Sequence, residues 1–316
     1  MKSITVCCIL IAGLCLCACL PVSAAGGDAT VSLSSFKITL SPPTAVAGSG
    51  AAIAAANDNY PISVEQAKNS IRAFTGNQDL DPVLSSTGSM SVGSYYEFSG
   101  DTKYSYYYVN QNSGLVEFAQ MTQNMPSTGT FSLSRDEAYA KGTEYARAHF
   151  ENFDAKTWKI VTDQQINVSW YRMNGTESES LTVPTYLFAL REEQDHIMMT
   201  DTVTVLVSAV DGKVIIYGGI DRLLQVDLKP TVTMSQAIQE AEKHFDGKVT
   251  HSSATLSVVT RPMNVQSLAW EVTLQGYYED YDYTYSQNFA IDAMSGDYLT
   301  DRIWPDAYTY FLYNGY

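Results

Sequence analysis

The sequence predicts an α+β fold of tandem modules, each one helix packed on a three- to four-stranded antiparallel sheet. Three observations predict it. A helix-opening capping box with the same flanks occurs three times. A hairpin turn closing on Gly follows each one, and runs rich in β-branched and aromatic residues stand between the two. A short amphipathic helix and a meander each leave one apolar face, and packing the two together buries both.

The chain opens with Met1-Lys2, an apolar run from Ile4 to Leu20, and the small residues Pro21-Val22-Ser23-Ala24-Ala25. A charged start, a hydrophobic middle and a small-residue end make residues 1–24 an export signal. Two processing routes are open. Val22-Ser23-Ala24 is a small-x-small cleavage site, and Leu16-Cys17-Ala18-Cys19 resembles a lipobox, which makes Cys19 the lipidation candidate. Retention as an uncleaved anchor is the third route, since about 20 apolar residues span a bilayer. Each route places the rest of the chain outside the cytoplasmic membrane, whether extracellular, periplasmic or anchored on its outer side. All five cysteines (Cys7, Cys8, Cys15, Cys17 and Cys19) lie in this segment, so the remainder has no disulfide and no thiolate nucleophile. Residues 25–59 read as a low-complexity tether: 28–40 alternates weakly like a strand, and 41–59 is Pro, Ala, Gly and Ser with almost no charge.

Three modules are expected to follow, over residues 60–126, 127–228 and 229–316. Their helices begin at Ile62-Ser63-Val64-Glu65-Gln66-Ala67, Leu133-Ser134-Arg135-Asp136-Glu137-Ala138 and Val232-Thr233-Met234-Ser235-Gln236-Ala237. In each, the Ser or Thr accepts from the backbone N–H three residues on, and the Glu or Gln there reaches back. The turns are Asn110-Gln111-Asn112-Ser113-Gly114, Ser208-Ala209-Val210-Asp211-Gly212 and Asp292-Ala293-Met294-Ser295-Gly296, with Gly supplying positive φ. The second and third modules carry an additional strand candidate, Ile166 to Tyr171 and Ala254 to Val259.

Leu268-Ala269-Trp270-Glu271-Val272 followed by Phe289-Ala290-Ile291-Asp292-Ala293-Met294-Ser295-Gly296 resembles the PepSY domain and the propeptide domains of secreted thermolysin-type metalloproteases. The first module is similar to a plain PepSY unit, and the middle one is a looser relative. The resemblance implies a chaperone or inhibitor of a protease, or a free-standing exported protein. The peptidase signature His-Glu-x-x-His is absent, because His149, His196, His244 and His251 include no pair at i,i+4. Any inhibitory role is therefore expected to act on a separate protein.

The remaining chemistry is sparse. A formal charge of −15 argues against nucleic acid, which needs a clustered Lys/Arg surplus. No Gly-x-Ser-x-Gly elbow, phosphate loop or dinucleotide fingerprint occurs, so no catalytic residue and no cofactor is expected. Glu279, Asp280 and Asp282 form a candidate Ca²⁺ site, with a solvated hairpin tip as the plainer reading. Glu192, Glu193, Asp195 and His196 make a corresponding acidic tip in the second module. His244 and His251 lack a third metal ligand. Among 22 tyrosines, Tyr104, Tyr106, Tyr108, Tyr281, Tyr283 and Tyr285 are the binding-face candidates, β-propensity on a half-buried surface being the plainer reading.

The leading expectation is an exported non-enzymatic protein that binds another extracytoplasmic protein, with a protease as one such partner. A cell-envelope glycan- or peptide-binding module using the Tyr-rich face is the alternative, and a carboxylate-dependent hydrolase is the third. Membrane contact is expected only through an N-terminal lipid or an uncleaved anchor.

Overall fold

The computed structural model describes residues 37–40, 62–90, 93–100, 105–121, 124, 126, 129–174, 177–261, 265–278 and 283–299. The export signal, Cys19 and most of the tether lie outside them. Three helices are described: α1 (Val64–Thr75), α2 (Arg135–His149) and α3 (Met234–Glu242). Each opens with a complete capping box at Ser63, Ser134 and Thr233, where side chain and backbone bond reciprocally. Among the described residues no helix is long and apolar enough to cross a membrane.

The strands are β1 (Lys37–Leu40), β2 (Val83–Met90), β3 (Gly93–Ser99), β4 (Tyr106–Asn110), β5 (Val116–Gln120), β6 (Trp158–Asn174), β7 (Glu177–Gln194), β8 (Ile197–Ser208), β9 (Val214–Ile220), β10 (Lys248–Arg261), β11 (Val265–Tyr278) and β12 (Tyr283–Asp292). They form one 12-stranded mixed sheet in the order β1-β6-β7-β8-β9-β5-β4-β3-β2, with β10, β11 and β12 branching from β8. β1·β6 and β8·β10 are parallel, and the other pairs are antiparallel.

This overturns the expected tandem modules, each with its own sheet. A meander ends in strands whose outer N–H and C=O groups need partners, and here neighbouring meanders supply them. Phe118, Ala119 and Gln120 of β5 pair with Gly218, Tyr217 and Ile216 of β9, which fuses the first two meanders. Ser257 of β10 pairs with Met198 of β8 and attaches the third. The helices are shared in the same way. Ala67 and Ile71 of α1 and Ala138 and Ala146 of α2 enter one apolar core with Phe98, Tyr107, Phe188, Val205 and Tyr217.

What repeats is local. Asn110, Ser208 and Asp292 each accept, through a side-chain oxygen, from the backbone N–H groups two and three residues on. The turns then close on Gly114, Gly212 and Gly296 at φ 75°, 74° and 83°. The Tyr96 and Tyr186 hydroxyls and the Trp270 indole N–H each donate to the carbonyl just before an N-cap, on Ile62, Leu133 and Val232 at 3.0, 3.3 and 2.8 Å. Each aromatic thus fills the core while its polar atom anchors the start of a helix.

The helices lie on one face of the sheet. Small residues permit close approach: a Cβ on Gly142 of α2 would stand 2.8 Å from Val205 Cγ2. A second core of Tyr95, Tyr108, Phe118, Ile166, Val168, Leu187, Leu206 and Ile216 contains no residue of the three helices. A third gathers α3 residues Ala237 and Ala241 with Val258, Leu268, Val272, Phe289 and Ile291.

Candidate functional site

The densest polar chemistry lies where β9 ends, at Asp221 and Arg222. Alternation along an extended chain sends consecutive side chains to opposite faces, and two networks result. On the face without helices, Arg222 makes a bidentate ion pair with Glu117 of β5, at 2.6 and 2.7 Å. The Tyr95 hydroxyl donates to the same carboxylate at 2.5 Å, and the Asn110 amide at 3.1 Å. Glu117 therefore accepts from three side chains while only 2% exposed, so its charge is compensated within the sheet. The carboxylate holds the Arg222 guanidinium well above its ordinary range, outweighing its burial.

On the helix side, Lys156 follows a 3-10 turn (Phe153–Ala155) and meets Glu192 of β7 at 3.0 Å and Asp201 of β8. Asp201 also accepts the backbone N–H of Arg222 at 3.0 Å. The β8·β9 ladder ends at the pair Thr202 and Ile220, so Asp201 and Asp221 are the residues just beyond it. Burial, then the Asp201 charge, pushes the Asp221 carboxyl up to about 6; burial likewise raises Glu192, partly offset by Lys156. Three carboxylates thus surround a single ammonium.

A third buried charge ties β7 to the branch. Arg191 donates to the Met199 and Val258 carbonyls at 2.7 and 2.9 Å and to both oxygens of Glu271 at 3.1 Å, and Ser257 Oγ donates to Glu271 at 2.9 Å. These bonds span β7, β8, β10 and β11, the seam where the third meander joins the sheet.

The sheet path ends at β2, which pairs with β3 alone among the described strands. From Val83 to Met90 it reads Val-Leu-Ser-Ser-Thr-Gly-Ser-Met, with no charge and no proline. A bulge between Leu84 and Ser86 interrupts its start, and the register from Ser86 to Met90 is continuous. Gly88 is exposed, and a Cβ built there meets nothing within 4 Å. Sheet edges are commonly guarded by charge or proline, and this one carries neither.

The sequence-predicted residues are distributed elsewhere. Glu279, Asp280, Asp282, Tyr104 and Tyr281 lie outside the described residues, and of Tyr283 only the backbone is described, in β12. Tyr106 is half-buried. Tyr108 is 7% exposed and packs edge-on to Tyr95 and Phe118. Tyr285 stacks on Phe245 with centroids 4.7 Å apart. In the second meander the hairpin tip is Asp195-His196, both at positive φ, whereas Glu192 sits in β7 against Lys156. No group of three or more His, Cys, Asp or Glu among the described residues is arranged to hold a metal. His244 instead pairs with Glu240 at 3.5 Å and tilts on Tyr298.

Glu117, Lys156, Asp201, Asp221, Arg222, Arg191 and Glu271 were not singled out by sequence reasoning. Glu117 carries a local signal, a lone charge between the apolar Val116 and Phe118, whereas Arg191 runs into Glu192-Glu193 and Asp221 adjoins Arg222, as solvated charges also do.

No protein-family model matches the sequence, and no curated protein is significantly similar to it. Among solved structures, the chain is similar to the Bacillus megaterium YpeB C-terminal domain. Identity is 17% and the TM-score 0.40, over 77% of this chain and 97% of that one. A likeness at that level fixes neither strand order nor activity.

Proposed function

We propose that the chain is an exported, non-enzymatic, PepSY-like protein that binds another extracytoplasmic protein, taking an extended segment of it onto the edge of β2. The observation that carries this reading is the uncharged, proline-free outer edge from Ser86 to Met90, paired on one side only among the described strands. Strand addition draws its affinity from main-chain hydrogen bonds, and such an edge offers them without a charge to repel the incoming strand. The paired carboxylates favour binding over hydrolysis. Glu117 is committed to Arg222, Glu271 to Arg191, and Glu192 and Asp201 to Lys156, so these groups hold the sheet together rather than face a substrate. The PepSY resemblance at Ala269 to Gly296 makes a secreted protease the first partner to test.

The test compares the exported chain with Gly88→Lys and Gly88→Asp, which charge the edge where space for a side chain exists. Each is incubated with the secreted proteases of the source organism, and complex formation and residual protease activity are measured. Binding by the wild type that falls about tenfold or more in both variants, at unchanged Tm, supports the reading, since burying an unpaired charge costs well over 1.4 kcal/mol. Equal binding by all three proteins contradicts the β2 site, and no complex with any protease contradicts the protease as partner.

A further inference from the structure

We propose that the outer edge of β12 is a second strand-accepting site, and that its occupant is this chain's own segment 300–304, which lies outside the described residues. Among the described strands β12 pairs with β11 alone. From Thr284 to Ile291 it carries neither charge nor proline, so it is as open to an incoming strand as β2. The chain already turns back onto this edge at Tyr298 and Leu299. Ile291 and Tyr298 form an antiparallel bridge, flanked by the Asp292 N–H on the Asp297 carbonyl and the Leu299 N–H on the Ala290 carbonyl, both at 2.8 Å. The side chains alternate as in a strand: Tyr298 lies against Phe289 on the side of α3, and Leu299 packs with Val259, Ala269 and Ala290 on the other face.

The same bridge begins a strand in both other copies of the hairpin. Val109 pairs with Val116 and Val207 with Val214, just past Gly114 and Gly212 as Tyr298 is just past Gly296. In both, the register then slips by one residue, at Glu117 and at Ile215, and the strand goes on to Gln120 in β5 and Ile220 in β9. Equivalence puts the slip of the third copy at Leu299 and the counterpart of Ile220 at Trp304. Thr300 then stands opposite Ala290, and Ile303 opposite Gln287. The segment brings what the bare edge lacks, because Asp301, Arg302 and the following Pro305 guard the new outer edge with charge and proline. Ser286 Oγ fits a covered edge, being screened from solvent while making no hydrogen bond. Tethered by the turn that ends at Gly296, the segment is present at high effective concentration, so a foreign strand meets β12 closed and β2 open.

The test is disulfide formation in the exported chain, which brings no competing thiol because all five cysteines lie at positions 7–19. Gln287 is exposed, and the register makes Gln287 and Ile303 a pair without mutual backbone bonds. Such pairs have Cα atoms about 4.5 Å apart, within disulfide range. Gln287→Cys with Ile303→Cys is expected to oxidise within one chain, and Gln287→Cys with Arg302→Cys at least about tenfold more slowly, since residue 302 alternates to the other face. Linkage that favours 302, linkage of neither pair, or linkage between two copies overturns the proposal. Residue-resolved amide exchange of the wild type needs no variant. The Ala290 carbonyl takes the Leu299 N–H, so by alternation Asn288 and Ser286 also turn their N–H groups outward, and both are expected to be protected about a hundredfold. Free exchange at both positions overturns the proposal as well.

Discussion

Replacing Arg222 with Met removes a buried cation and leaves its partner in place. Glu117 is 2% exposed and Arg222 is 11% exposed, so the lost interaction is a desolvated bidentate pair, not a surface ion pair. Breaking such a pair from one side costs about 3–5 kcal/mol, because the remaining charge is buried without compensation. Tyr95 and Asn110 still donate to Glu117 in the variant, which places the expected loss at the lower end, about 3 kcal/mol. With a urea m-value of about 3 kcal/mol/M, the unfolding midpoint at neutral pH falls by about 1 M. The double variant Glu117→Gln, Arg222→Met removes both charges and is expected to recover most of that loss, ending within about 1 kcal/mol of wild type. A single variant that loses less than about 1 kcal/mol, or a double variant as unstable as the single, would refute the claim that buried charge compensation joins β5 to the end of β9.

Three further outcomes follow from packing and titration. Asp221, with its carboxyl raised from 3.8 to about 6, contributes stability that is complete below about pH 4 and lost as pH rises through about 6. Asp221→Asn should therefore raise stability at about pH 8 by roughly 1 kcal/mol, after discounting for the half-exposed site, and change it little at about pH 4, as read by thermal unfolding across pH. His149 behaves oppositely. Burial among Phe74, Tyr145 and Tyr217 lowers it from 6.5, so its contribution is present above that pH and lost on acidification, and His149→Phe should flatten the acid limb of the same curve. Gly142→Ala gains about 1 kcal/mol of helix propensity, but its Cβ would lie 2.8 Å from Val205 Cγ2 and 3.1 Å from Val207 Cγ2. Overpacking costs about 1–3 kcal/mol, so Tm should fall.

The parts of this fold that are legible in sequence are those decided within a few residues. Ser63 and Gln66, Ser134 and Glu137, and Thr233 and Gln236 form the expected caps because each box is complete in four positions. Gly114, Gly212 and Gly296 take positive φ because a short polar turn demands it. Strand partnership is different. Val116 to Gln120 alternates as any half-buried strand does, and nothing local says that its outer edge meets β9, about a hundred residues later, instead of staying free. The same limit hid the charged networks. Arg222 meets Glu117 only once the first two meanders have fused, and Glu192 reads as part of an acidic tip until β7 extends past it and Lys156 arrives from another element. The tyrosines are ambiguous for a related reason. A phenol at a strand position reads equally as surface or core, and Tyr96 and Tyr186 are core residues because a helix-start carbonyl satisfies their hydroxyls.

The edge of β2 is tested most directly by photocrosslinkers placed singly at Ser86 and at Gly88 in the presence of the captured extracytoplasmic partner, with the linked peptides mapped. Side chains two apart on a strand share a face, so strand addition predicts that both positions link to one extended partner segment, at residues two apart and running in a single direction. Crosslinks scattered over unrelated segments, or captured partner that links to neither position, would contradict it.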